Sequence, residues 1–443
     1  MSSSAAQAAA VEPAVAQTLT EGLVSLIRSK PVTQSDLDGM ALIVLDGIAN
    51  MLAGRETEPG RILRRWGADK RDPGRRALAM GGCMHVLEVD DLHRGSVTHP
   101  GCVVIPAALA LAGEAGGDTV LRAVLQGFEA VCRVGMSVGP THYKVWHNTA
   151  TCGPFGAAMA AAALLELDDE AAVHALGNAG TQSAGLWEFL NTGAMSKHLH
   201  AGRAAEAGVV AAELAAGGFT GPPAILEGPQ GFYAGACPDP DPGAVLRHPD
   251  LPWQVHATSI KPWPSCRHTH PAIDAALEIS AQVDADAIAG VEASTYRAAV
   301  DVCDRPLPTS PYEAKFSLQH CIAAALADGA VGFGSFEAEA RARLSSLRSK
   351  VRVGAGEPYL SDYPAAWGGE VTAVLADGGR VSAARRKCKG DPEAALDRDE
   401  MVEKARELMR FGKVGDPEAA IAGVLGMAHG EPVPSFDIRE ESR

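Results

Sequence analysis

The sequence predicts a mainly α protein. A large all-helical domain is expected over residues 14–258, and a smaller α+β domain over 259–390. Helices within 391–430 are expected to return to the first domain. Three observations carry this expectation. Apolar residues recur at helical spacing almost without break up to about residue 220. Alternating, β-branched stretches appear only after Lys261. The Pro- and Asp-rich run Cys237–Gly243 lies between the two textures and reads as an exposed connection.

In the first part, Ser35–Ala53, Val103–Ala115, Thr119–Val138, Gly153–Leu167 and Glu170–Trp187 place apolar residues at i, i+3, i+4 and i+7, the stripe of a packed helix. Ser35 followed by Asp38 reads as an N-terminal cap. Aromatic residues are only 5% of the chain and glycine is plentiful, which suits closely packed helices. In the second part, Pro271–Val283 and Phe316–Asp328 read as helices, and Val291–Ala299 and Val351–Val353 as strands. Glu370–Ala376 and Arg380–Arg386 flank Asp377-Gly378-Gly379, a hairpin whose turn suits positive φ. Asp399–Phe411 closes the chain as a helix.

With 39 Lys+Arg against 54 Asp+Glu, the net charge of −15 argues against a nucleic-acid or anionic-membrane surface. The nine cysteines are scattered without CxxC spacing, so reduced thiols in the cytoplasm are expected rather than a disulfide framework, zinc knuckle or iron–sulfur cluster. Met1–Gln17 has no basic start and reads as a loose tail rather than a signal peptide. The run from Phe155 to Leu165 is too short to span a bilayer.

Four segments depart from the acidic background: His93–Gly101, His142–Thr149, Met195–Arg203 and Ser259–His270. They hold eight of the 14 histidines together with Arg94, Lys144, Lys197, Arg203, Lys261 and Arg267, and no Asp or Glu at all. Lys and Arg hold carboxylates through charge-assisted hydrogen bonds, and His moves protons near neutral pH. Together they suit a substrate with several carboxylates and an acidic C–H bond. Lys197 and His99 sit in unusual loop settings and favour function. His147 is balanced between function and a buried helix N-terminus. His198 and His200 flank Leu199 at a helix start and read more readily as capping or solvent-facing, and Lys144 and Arg94 as surface charges. The cluster His85, Glu88, Asp90, Asp91 and His93 invites a divalent metal, but these residues cannot all share one helix face, and a helix end is the simpler reading.

Five stretches, in order, resemble the MmgE/PrpD family: LEVDDLHRGSVTHPGCVVIPAALALA, HNTATCGPFGAAMAAAALLELD, MSKHLHAGRAAEAGVVAAELAAGGFTGPPAILEGPQGF, SIKPWPSCRHTHPAIDAAL and AKFSLQHCIAAALADG. The resemblance implies a helical domain with a smaller α+β lid, a homodimer, and a site in the cleft between domains that needs no metal or organic cofactor. It implies dehydration, decarboxylation or epimerisation of a small di- or tricarboxylate, with a 2-methylcitrate dehydratase-like hydro-lyase as the leading expectation. Carried over by motif, His99, His147, Lys197 and Lys261 are the catalytic candidates. Glu88, Arg267, His270 and His320 join His200 as substrate-binding candidates. Glu88 stands where the family's decarboxylases have Asp, Leu92 where they have Thr, and His320 where they have Tyr. These departures argue against a cis-aconitate decarboxylase. A carboxylate-binding protein without turnover and a metal-dependent hydrolase are the readings from other classes. Lys197→Ala is expected to cost activity and to spare folding.

Overall fold

A computed structural model of the protein describes residues 17–67 and 72–436. The expected N-terminal tail, apart from Gln17, and the first residues of the expected helical domain lie outside the described residues. The protein is mainly helical with a small sheet region. The strands in chain order are β1 (Leu92–His93), β2 (Thr258–Ser259), β3 (Ile288–Thr295), β4 (Val351–Ala355), β5 (Gly369–Leu375) and β6 (Arg380–Arg385).

One hydrophobic core runs from Leu23 to Ile260 and takes in Met401, Ala405, Leu408, Met409, Ile421 and Val424 from the end of the chain. The helix Arg398–Phe411 therefore packs against Gln34–Gly54. Gln34–Gly54 is long and apolar enough to cross a membrane by length and composition, but 83% of its most apolar window is buried in this core. The first core is held together by small side chains. Ala157, Ala158, Ala160, Ala161 and Ala162 are fully buried in the helix Asn148–Leu164, which packs on both Ser196–Ala216 and Gly117–Ser137. Closely apposed helices of this kind gain by dispersion contacts what they forgo in large apolar side chains.

A second core spans Trp263 to Ala383. Its sheet has the order β4-β3-β5-β6, with β3 and β4 parallel and the other pairs antiparallel. The helices His270–Ser280 and Leu318–Asp328 pack together, the former lying on β5 and β6. Gly378, at φ 87°, supplies the left-handed turn residue between β5 and β6.

Three local expectations are corrected. The cap of Gln34–Gly54 is Thr33 with Asp36, in a reciprocal capping box, two residues earlier than Ser35 and Asp38. The strand expected over Val291–Ala299 stops at Thr295, where its pairing with Gly369 and Ala355 ends, and the chain turns into the helix Arg297–Cys303. The helix expected to reach Trp187 ends at Gly180, ahead of a turn through Gly185 at φ 137°.

Candidate active site

The cavity between the two cores is built largely from helix ends. His147 is the N-cap of Asn148–Leu164, His99 precedes the Pro100 cap of Gly101–Leu111, and Lys197 is the second residue of Ser196–Ala216. Each of these helices directs unpaired N–H groups and the positive end of its dipole toward the start of the helix, which favours an anion and disfavours an added proton. Among the described residues, Glu88, His99, His147, Lys197, Lys261 and Arg267 all line this one cavity. Their segments, up to about 180 positions apart in the chain, meet because β1 pairs with β2, joining Leu92 to Ser259 and His93 to Thr258.

The loop after the helix Pro73–His85 sets the rest of the geometry. Glu88 (φ 60°) and Val97 (φ 53°) adopt left-handed backbone, uncommon for residues with a side chain and a mark of a conformation over-determined by its surroundings. Asp91 accepts the Gly101 amide with both carboxylate oxygens, at 3.1 and 3.0 Å. A Cβ at Gly101 would lie 2.4 Å from Asp91 Oδ1, so only glycine fits there. The Asp91 carbonyl takes the Nδ1 proton of His99 at 2.7 Å, an arrangement that leaves Nε2 as the free nitrogen of that ring.

Lys197 Nζ donates to both oxygens of Glu88 at 2.6 Å, and Lys261 Nζ donates to the Glu88 carbonyl at 3.1 Å and to Asp90 Oδ1 at 3.4 Å. Burial opposes ionisation of Glu88, but the two ammonium groups overcome it and hold this carboxyl below its usual range. Burial likewise opposes the charge on Lys261, and Asp90 and Glu88 raise it above its ordinary value. For His99, burial is the main cause of a strong depression, opposed by Asp90 and reinforced by Lys261. Burial and then Lys197 act in the same direction on His147. Both imidazoles are therefore neutral at physiological pH, the form that can accept a proton.

Three expected site residues lie away from the cavity lining. His200 packs on Phe189 and sits behind His147, with 3.4 Å between their Nδ1 atoms. His270 is turned into the second core, between Trp263, the Ser265 carbonyl and the Arg267 guanidinium. His320 donates to the Ser335 carbonyl at 2.8 Å beside Phe336. His270 begins one helix and His320 lies in the first turn of another, and both rings are held by local partners rather than by the cavity. Arg267 does line the cavity, but its guanidinium is ion-paired with buried Asp391.

Sequence reasoning passed over Val97, Tyr143, Trp187, Cys266, His268, Val302, Phe316 and Trp367, which with Leu92 complete the lining. Cys266 and His268 fell within one of the basic segments and could have been weighed. The aromatic residues carry no signal apart from their position. His85 was weighed only as a metal ligand. Its Nδ1 lies 2.6 Å from Asp90 Oδ2, and its ring stands 4.6 Å from that of His99 and 5.9 Å from that of His147.

Among the described residues, the group able to hold a metal ion is His85, Asp90 and His99, with ligand atoms within 4.8 Å of one another. The wider cluster is otherwise engaged: Glu88 with Lys197, Asp91 with Gly101, and His93 with Ser96 and Gln254. The Lys261 ammonium beside Asp90 would repel a cation in the three-residue group.

These features define a class: a mainly helical protein with two cores and, between them, a buried cavity lined by ion-paired lysines and neutral histidines. The chain belongs to the MmgE/PrpD family, since the model of the MmgE/PrpD N-terminal domain matches residues 23–244 and that of the C-terminal domain residues 263–422. It is similar to the cis-aconitate decarboxylase of Homo sapiens, 27% identical over 354 residues that cover 74% of this chain and 71% of the relative. The cis-aconitate decarboxylase of Aspergillus terreus is 29% identical over 220 residues, covering 44% of this chain, so the chain spans less than half (45%) of that relative's length. The Mus musculus enzyme of the same name is 28% identical over 314 residues, covering 62% of this chain and 60% of its own.

Proposed function

We propose that the protein is a lyase acting on a small di- or tricarboxylate without a metal or organic cofactor. The observation that carries this reading is the meeting of Lys197, Lys261, His99 and His147 in one buried cavity fed by three helix N-termini. The lysine ammonium groups clamp substrate carboxylates and stabilise the enolate-like charge that develops as the α proton leaves. One neutral imidazole takes that proton, and the other, protonated from solvent as the substrate carboxylates bind, gives its proton to the departing hydroxyl, which leaves as water. This is a hydro-lyase of the 2-methylcitrate dehydratase kind. A homodimer in the cytoplasm is part of the same proposal.

Decarboxylation is the second reading, favoured by the names of the curated relatives. The same clamps would stabilise the carbanion left when CO₂ departs. An NMR screen of purified protein with citrate, 2-methylcitrate, cis-aconitate, trans-aconitate and iminodisuccinate separates them. A new alkene without loss of carbon supports the hydro-lyase, CO₂ release the decarboxylase, and inversion without either product an epimerase.

A further inference from the structure

Three successive carbonyls at the left-handed turn each accept from a different lysine. Lys315 Nζ donates to Leu87 at 2.8 Å, Lys261 Nζ to Glu88 at 3.1 Å and Lys404 Nζ to Val89 at 2.7 Å. Among the described residues no backbone N–H reaches these oxygens, so the lysines supply the donors that buried carbonyls require. Two of the three ammonium groups also meet a carboxylate, Lys261 at Asp90 and Lys404 at Asp46. Lys315 forms no ion pair among the described residues. Burial pushes its ammonium down from 10.5 to about 8, with Glu88 opposing and Lys261 reinforcing. A cation withdrawn from water without a counter-ion costs stability, which sets Lys315 apart from the paired lysines.

Lys315 also reaches the turn from the other side of the cleft. Its chain neighbours Ala314 and Phe316 belong to the second core, whereas Leu87 and Val89 belong to the first. Its own carbonyl accepts the Cys266 amide at 2.9 Å, and Cys266 and Phe316 both line the cavity. The Lys197 ammonium lies 5.3 Å from the centre of the Phe316 ring. One residue therefore ties the turn that carries Glu88 to the wall beside Lys197.

We propose that Lys315 is a positioning residue that holds the turn over residues 87–89 from across the cleft, so that Glu88 keeps Lys197 in place on the cavity wall. Its effect on binding rests on the carboxylate reading above. The test compares the unaltered protein with Lys315→Met, which removes the donor, and Lys315→Arg, which keeps a cationic one. Amide hydrogen exchange is read by mass spectrometry, and binding of tricarballylate by calorimetry. In Lys315→Met, exchange should quicken by about tenfold or more across residues 86–98 and not elsewhere. Tricarballylate should bind about tenfold more weakly to that variant, and Lys315→Arg should recover much of both changes. Unchanged exchange at residues 86–98 in Lys315→Met would overturn the proposal. Exchange quickened throughout the chain would overturn it too, making Lys315 a general structural contact. Local quickening with unchanged affinity for tricarballylate would separate the turn from the site and also overturn it. Failure of the unaltered protein to bind tricarballylate would count against the carboxylate reading instead, and the exchange result would then decide the role of Lys315.

Discussion

His85 Nδ1 lies 2.6 Å from Asp90 Oδ2, and both groups are buried, so the carboxylate fixes the ring's tautomer and orientation. His85 Nε2 has no hydrogen-bond partner among the described residues, and the ring stands against both His99 and His147. These contacts would make His85 a positioning residue for the two imidazoles that line the cavity. His85→Phe should keep the ring contacts and lower kcat by about ten- to a hundredfold, with KM little changed. The pH profile of kcat should move, and His85→Asn, which restores a donor to Asp90, should recover part of the loss. A variant that loses activity only in proportion to its folded fraction would make His85 structural.

Lys197→Ala removes a clamp whose loss should cost about 2–4 kcal/mol of transition-state stabilisation. The expectation that folding would be spared does not survive the geometry. Lys197 is 3% exposed and is bonded to both oxygens of a buried Glu88, so truncation strands a carboxylate. A loss of about 3–5 kcal/mol in stability is expected. The double variant Lys197→Ala/Glu88→Gln should regain much of the stability and none of the activity, as read by chemical denaturation and turnover.

The large architecture was legible because helical periodicity and the hairpin at Gly378 are local signals. The meeting of the basic segments was legible because buried lysines and histidines without acidic sequence neighbours need a common purpose. Their partners were not legible. Glu88 reads from sequence as a substrate-binding candidate, a metal ligand or a helix end, and nothing in the sequence shows that its carboxylate is taken up by Lys197 across a left-handed turn at φ 60°. His270 and His320 shared the same sequence texture as His99, but their helices carry them into the second core. Aromatic lining residues such as Trp187 and Trp367 have no sequence signature that distinguishes a wall from a core.

Stability should depend on pH through the buried histidines. Burial depresses His93 from 6.5 to about 4 and His268 from 6.5 to about 3, so the unfolded chain binds protons at these sites before the folded one does. Their contribution is complete above pH 6.5 and is lost as pH falls from 6.5 toward 3. Asp91 acts oppositely. Its carboxyl is raised from 3.8 to about 8, chiefly by burial and then by Asp90, so its contribution is complete below 3.8 and is lost as pH rises toward 8. Thermal melts should show stability falling below pH 6.5, and His93→Gln should flatten that limb. A Tm that rises as pH falls from 6.5 toward 4 would contradict the assignment.

Activity should persist in excess EDTA. The His85–Asp90–His99 group is the candidate cation site among the described residues, and Lys261 beside Asp90 supplies a competing positive charge. Loss of turnover on chelation, restored by a divalent ion, would reverse this reading.

The proposed function requires this cavity to move a proton on a carboxylate substrate. Its most direct test is ¹H NMR of the carboxylate panel in D₂O with the purified protein and with His99→Asn. The unaltered protein should exchange a C–H proton for deuterium or form product with at least one substrate, and His99→Asn should lose this while still binding it. A panel that binds without exchange or product would make the protein a carboxylate binder and contradict the claim.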